Sequence, residues 1–566
     1  MNSAHNLAVI ADRYWQFERF ETPFPVFLAG ELIDEIILFR EAPSDYERRY
    51  QEAGRYLAEL DGIDPIGLEL QDKATLTLLQ RELRAIRDLY EVDAHLRPSL
   101  LPVGPDFNTV FYANSVSIEC ADDAALHVAR LASFPAYLAD LQASLRAGYE
   151  KGIRYPRAVL EAAAANTRRM TAAPVRQSSW FAPFLKGPAV GNSAVGQEAE
   201  RALAMIGDQL IPALTEFADF VDGPLSKGAR ESITCVDSPK GREYYSALVR
   251  LYTTSDLSPE AIHKLGHNEV ARIAEEIKAT AAEAGFVGDV PAYRAFLTSS
   301  PDFIMPDANS LRERAEVICK RIDARIPAFF RRIPRITYGV DSIPQEMSET
   351  MPPAYAQPVP SGGASAGIFW INGIPQKCPT YLLPAMAVHE AWPGHLMHIG
   401  LMSELDHLPS FRRHGAVKYT VCVEGWALYC EQLGKELGVY QSPHDHYGRL
   451  EMEMWRACRL VVDTGIHWFD WPRDRAIDYM AERLTLSRET IAAEVDRYAA
   501  LPAQALAYQL GGIRFKELRE HAEQLLGPRF SIRAYHEAIM TAGGVTLPVL
   551  EMLVDGWIAE VNGNAH

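Results

Sequence analysis

The chain has 566 residues, 48% of them hydrophobic and 23% charged, which is the composition of a folded globular protein rather than a disordered one. Lys and Arg number 56 against 74 Asp and Glu, and the net charge of −18 opposes binding to a phosphate backbone, so no nucleic-acid partner is expected. No segment approaches the ~18 uninterrupted apolar residues of a membrane span. The first twenty residues carry charges where a secretory leader would place its apolar core. The cysteines number seven, scattered and without a CxxC pair. Neither a disulfide framework nor a cysteine zinc knuckle is expected, and the chain reads as cytoplasmic.

In chain order, residues 72–90 form the first clear helix, with Leu76, Leu79, Leu83 and Ile86 three or four apart on one stripe. Residues 134–149 read the same way. Polar and turn-forming residues at 220–245 suggest a boundary between an N-terminal subdomain, 1–235, and a C-terminal one, 236–566; a long surface loop within one domain is the alternative. Ser258-Pro259-Glu260 is a helix start, with a hydroxyl cap, proline at the first position and an acid in the first turn. It opens a helix to Ala284. Residues 351–366 hold four prolines with Gly and Ser, which predicts a loop. Gly367 to Asn372 is a β-branched and aromatic run, the clearest strand, expected in a minor antiparallel element. Helices follow at 417–437, 487–499 and 502–510. The fold expected is mainly α.

The chemistry concentrates at His389-Glu390-Ala391-Trp392-Pro393-Gly394-His395. Zinc peptidases commonly carry HExxH, whose histidines lie four apart on one helical face. Here the spacing is six, which on an unbroken helix turns the second ring away by ~240°. Pro393 crowds the carbonyl four residues back, that of His389, so the helix must bulge or break, with Gly394 to rejoin it. Without the Pro-Gly pair the four-residue spacing returns. A catalytic zinc takes three protein ligands. Glu424, a carboxylate among apolar residues of a helix, supplies the third, and Glu431, two turns on, would orient a ligand. A buried salt bridge is the plainer reading of Glu424. His263 and His267 have ligand spacing but no flanking pattern, and His444 and His446 lie in a polar turn.

HEAWPGH followed by EGWALYCEQL resembles the signature of domain-of-unknown-function family 885, a bacterial group of predicted zinc-dependent peptidases. The likeness extends to residues 244–270, 497–520 and 530–553. It implies a helical gluzincin-like fold with a deep active-site channel, and it leaves the substrate open. His398 stands where the family pattern usually carries glutamine, so either His395 or His398 is the second histidine ligand. Only His395 fits the bulge.

Zinc chemistry then assigns Glu390 as the base that takes a proton from metal-bound water and hands it to the leaving amine. Tyr508 and His536, in segments that match the family, are candidates for the oxyanion donor. Arg497 could hold a substrate carboxylate. Trp370, with Trp392 and Trp426, could line the channel, and the edge of strand 367–372 could accept an extended peptide. The expected protein is a one-zinc hydrolase of peptides or small amides. A metal-dependent deacylase or lyase acting on a non-peptide metabolite, and a silent helical scaffold, are the rivals.

Overall fold

The computed structural model describes residues 3–28, 33–101, 104–186, 189–343, 348, 351–358, 366–415 and 418–563. Helices dominate from end to end, as the periodicity predicts. Leu70–Glu91 buries Leu76, Leu79 and Leu83 along one stripe. The helix expected at 134–149 is the second half of Ala121–Glu150, which accommodates Pro135 in its interior. Helix α1 (Pro259–Glu283) starts at the predicted cap: the Ser258 hydroxyl accepts from the Ala261 N–H at 3.2 Å. Among the described residues, no helix is long and apolar enough to cross a membrane. One hydrophobic core takes residues from Leu7 to Ile558, including Phe217 and Val270 on either side of the polar 220–245 segment. A smaller cluster gathers around Tyr245, Ile262 and Leu506.

The sheet has three strands, β1 (Tyr338–Ser342), β2 (Ala354–Gln357) and β3 (Gly367–Ile371), in the order β1-β3-β2. β1 runs parallel to β3, with Tyr338 opposite Gly367, and β2 runs antiparallel, with Ala354 opposite Ile371. The element is therefore mixed, not antiparallel as expected. β2 lies inside the segment read as a loop; residues 359–365 of that segment fall outside the described residues. Four residues bounded by prolines leave too little alternation to register as a strand. β3 buries Gly367, Phe369 and Ile371 on its inner face.

A turn at Pro375–Lys377 leads from β3 into α2 (Leu383–Glu390), which is followed at once by α3 (His395–Ser403). Then come α4 (Thr420–Leu433), α5 (Pro443–His467), α6 (Arg488–Ala500) and α7 (Ala507–Leu526). α4 covers most of the predicted 417–437; residue 417 lies outside the described residues. The predicted 502–510 helix begins as a 3₁₀ turn at Gln504–Leu506 and continues far past its expected end. α5 is buried on all sides from Tyr447 to His467. It can lie against the chain just before α2 because Gly448 has no side chain: a Cβ there would sit 1.9 Å from the Tyr381 carbonyl oxygen.

Candidate metal centre

The HEAWPGH segment folds as two helices joined by a tight turn. α2 ends at Glu390, Ala391 leaves helical geometry with ψ −128°, and α3 begins at His395. The expected bulge is a complete break. Gly394 keeps an ordinary negative φ of −71°. Its requirement is space: a Cβ would lie 1.9 Å from the His389 carbonyl oxygen. The Trp426 indole N–H donates to the Pro393 carbonyl at 2.9 Å and ties the turn to α4.

The break turns the two histidines toward one another. Their rings are nearly perpendicular, 87° apart, with centroids separated by 4.8 Å. Glu424 Oε2, from α4, lies 3.5 Å from Nε2 of His389 and 3.5 Å from Nε2 of His395. His389 Nδ1 bonds Glu431 Oε1 at 2.8 Å. Potential ligand atoms of His389, Glu390 and His395 all fall within 4.8 Å of one another. Burial alone would push the His389 ring toward neutrality, but Glu424 and Glu431 outweigh it and raise its pKa to about 9. Burial likewise opposes ionisation of Glu424, yet His395 and His389 hold its carboxyl well below the usual range. Glu424 Oε2 and His395 Nδ1 are shut off from water without a hydrogen-bond partner.

The structure brings His395, not His398, to Glu424. His398 faces the Trp426 ring at 5.8 Å, and burial, with the nearby His395, pushes its pKa down to about 3. Tyr508 is half-buried at the start of α7, and its hydroxyl is pushed up by burial and then by the charge of Glu424.

The remaining predicted residues lie elsewhere or are already engaged. His536 is fully buried, with Nε2 against the Tyr429 hydroxyl at 2.8 Å, Nδ1 on the Phe329 carbonyl at 2.9 Å and its ring stacked on Phe330. Both nitrogens are used inside the core, which leaves Tyr508 as the remaining candidate of the two. Arg497 spends Nη2 on Glu494 at 3.0 Å and Nη1 on Gln504 at 2.9 Å. Trp370 donates to Gln357 at 2.7 Å and stacks on Tyr355, within the sheet. β3 is the central strand with both edges paired, which rules out peptide addition along it. Trp426 is core, and Trp392 packs on Tyr338. His263 bonds Thr464 and His444 bonds Tyr293.

Sequence reasoning overlooked Trp455, Arg456 and Arg459 on α5. Two arginines within a fully apolar-flanked helix, in Met454-Trp455-Arg456-Ala457-Cys458-Arg459, were the available signal, because buried guanidiniums need acceptors.

Fold and site together define a mainly helical protein with a histidine–carboxylate cluster at a broken helix. The family of bacterial proteins of unknown function DUF885 matches residues 40–554, and the chain belongs to it. A solved structure described as "the putative lipoprotein from Colwellia psychrerythraea" is 26% identical, with a TM-score of 0.92 over 99% of this chain and 100% of that one. A "putative lipoprotein of unknown function from Shewanella oneidensis" is 17% identical, with a TM-score of 0.72 over 98% of this chain and 99% of that one. No curated protein matches the sequence.

Proposed function

We propose that the chain is a metal-dependent hydrolase of amide bonds in peptides or peptide-like small molecules, with one zinc ion held by His389, His395 and Glu424. The observation that carries this reading is the buried Glu424 oxygen, 3.5 Å from both imidazole Nε2 atoms and without a hydrogen bond. A buried carboxylate oxygen left unmet is expensive. A divalent cation suits two imidazoles and a carboxylate together, and nitrogen and oxygen donors without cysteine suit a catalytic zinc. A silent scaffold has no use for such a set.

Zinc bound there would supply an acidified water and a polarised substrate carbonyl. The chain's own residues do the rest. Glu431 accepts from His389 Nδ1–H, which fixes the tautomer and leaves Nε2 as the free lone pair. Glu390, at the last turn of α2 beside His389, takes the water proton and returns it to the leaving nitrogen. The Tyr508 hydroxyl offers a hydrogen bond to the developing oxyanion. All seven cysteines are free thiols, six of them buried, which supports a compartment that keeps thiols reduced.

Metal analysis of the purified protein tests the reading directly: one zinc per chain is expected, lost in both His389→Ala and Glu424→Ala. Chelator-sensitive release of amines from short peptides and N-acyl amino acids should accompany it. Uptake of no divalent metal, or full occupancy in His389→Ala, refutes it.

A further inference from the structure

Beside the candidate centre, α5 holds hydrogen-bond donors that have nothing to donate to. Trp455, Arg456 and Arg459 are 8%, 5% and 5% exposed. Trp455 Nε1, Arg456 Nε and Arg459 Nη1 are closed off from water and lack any hydrogen-bond partner. The Arg459 guanidinium lies over the Trp455 ring at 4.8 Å and over the Tyr508 ring at 4.3 Å. Arg456 lies over Trp455 at 5.4 Å, and its Nη2 is 3.9 Å from the Glu431 oxygen that bonds His389. Tyr508 in turn feels the charge of Glu424 and of Arg459. The contacts form a chain from the cluster outward: His389, Glu431, Arg456, Trp455, Arg459 and Tyr508.

The charges on the Arg459 side do not balance. Glu494 takes Arg459 Nη2 at 3.3 Å and Arg497 Nη2 at 3.0 Å, so two guanidiniums share one carboxylate. Burial disfavours the charge of Glu494, yet Arg497 and Arg459 hold its pKa down at about 2, so it is fully used as an anion. Arg459 Nε goes to the Tyr498 hydroxyl at 3.1 Å. Nη1 stays bare. Indole and guanidinium nitrogens are donors only, so the missing partner is an acceptor, and beside a surplus guanidinium an anion fits best. Planar guanidinium matches carboxylate better than any other side chain does.

We propose that Arg459, stacked between Trp455 and Tyr508, receives a free carboxylate of the substrate, so that the preferred substrates carry that carboxylate near the bond cleaved, as the C-terminal residue of a short peptide does. The proposal rests on the hydrolase reading and narrows it. It also reassigns the carboxylate anchor from Arg497, which is committed to Glu494 and Gln504.

The test compares N-acetyl-Ala-Ala as the free acid with its C-terminal amide. Binding is measured by calorimetry on the zinc-loaded Glu390→Gln protein, where turnover does not interfere. The acid should bind roughly ten- to a hundredfold more tightly than the amide, the range of a charged hydrogen bond. Adding Arg459→Gln should bring that ratio toward one, and Arg459→Lys should keep part of it, with thermal melts confirming that each variant folds. Should neither variant fold, the acid-to-amide ratio with Arg459 intact still decides. Equal binding of acid and amide, or an unchanged ratio in folded Arg459→Gln, overturns the proposal. Turnover by the unmodified protein separates the two ideas. Selective binding of the acid with cleavage of neither compound defeats the hydrolase reading alone, whereas equal binding and equal cleavage of both defeats the Arg459 assignment alone.

Discussion

Glu424 reaches the two histidines only because α4 and α7 touch backbone to backbone, and that contact can be broken at one atom. A Cβ on Gly425, next to Glu424, would lie 2.5 Å from Gly511 Cα and 2.6 Å from the Gly511 carbonyl carbon. Neither obstacle is a side chain that can swing aside. Ordinary contact needs 3.4 Å or more, so Gly425→Ala forces the two helices apart by roughly 1 Å, an overpacking cost of about 1–3 kcal/mol. Glu424 travels with α4, and zinc–ligand distances tolerate only ~0.2 Å. We therefore expect Gly425→Ala to fold with reduced stability, to lose at least about tenfold in zinc affinity and to lose about a hundredfold in turnover, the scale of a 1 Å misplacement. Competition against a chromophoric chelator, with thermal melts in the presence and absence of zinc, measures both effects. Gly196→Ala is the control. That glycine lies on an exposed helix with nothing within 4 Å of its added carbon, and alanine there should stabilise by up to about 1 kcal/mol. Gly425→Ala protein that takes up zinc and melts like the parent would refute the argument that this contact sets the site.

Three further outcomes are expected. Glu390→Gln should keep its zinc and lose about 10²–10⁴ in rate, since glutamine cannot accept the proton; metal analysis beside steady-state rates checks this, and an undiminished rate rejects Glu390 as the base. Glu431→Gln should bind zinc about ten- to a hundredfold more weakly through the loosened His389 ring, read by the same chelator competition; equal affinity would show that His389 needs no such support. Burial raises the Asp463 carboxyl to about 7 against the pull of the Tyr245 hydroxyl and the Ala503 N–H. The folded state therefore holds this proton more tightly than the unfolded chain does, so stability is highest below the ordinary carboxylate range and falls as pH rises through about 7. Urea unfolding of Asp463→Asn should lack this contribution, on the order of 1–3 kcal/mol between pH 4 and pH 8; the same pH slope in both proteins would assign the titration elsewhere.

The parts of this molecule that were legible in its sequence are those governed by neighbours along the chain. Apolar spacing located Leu70–Glu91, and Ser258 announced α1, because stripe and cap are local chemistry. The His389–His395 pairing was legible for the same reason: Pro393 acts on a carbonyl four residues back. Glu424 stood out as a carboxylate with no local use. Features governed by partners distant in the chain were not legible. The helix expected at 502–510 continues through Gly511 and Gly512 because α4 packs there, with Gly511 against Val421 and Gly425 and Gly512 against Leu428. The strand order that encloses β3, and the Phe329 and Tyr429 partners that occupy His536, depend on segments tens to hundreds of residues away.

The same distinction bears on how α5 is built. A helix that merely filled the core would carry apolar residues all round, since buried ion pairs seldom gain stability over well-packed hydrophobic ones. α5 instead buries Arg449, Glu451, Glu453, Arg456, Arg459 and Asp463. Toward its N-terminal end the charges are paired, although Arg449 Nε has no partner: Arg449 places one terminal nitrogen on Glu453 and the other 3.4 Å from Glu276, and Glu451 accepts from Tyr447 and Thr485. Toward the histidine cluster the answers run out, and Arg459 Nη1 and Trp455 Nε1 are left bare. Buried donors without partners occur elsewhere too, at Trp15 Nε1 and Arg412 Nε among others. Those of Arg459 and Trp455 differ in their surroundings: Arg459 lies over Tyr508, the neighbouring Arg456 approaches the Glu431 that bonds His389, and Glu424 is short of a cation. A missing cation at one end and a missing anion at the other, along one chain of contacts, match the two ends of a single small substrate: a carbonyl to be polarised and a carboxylate to be held.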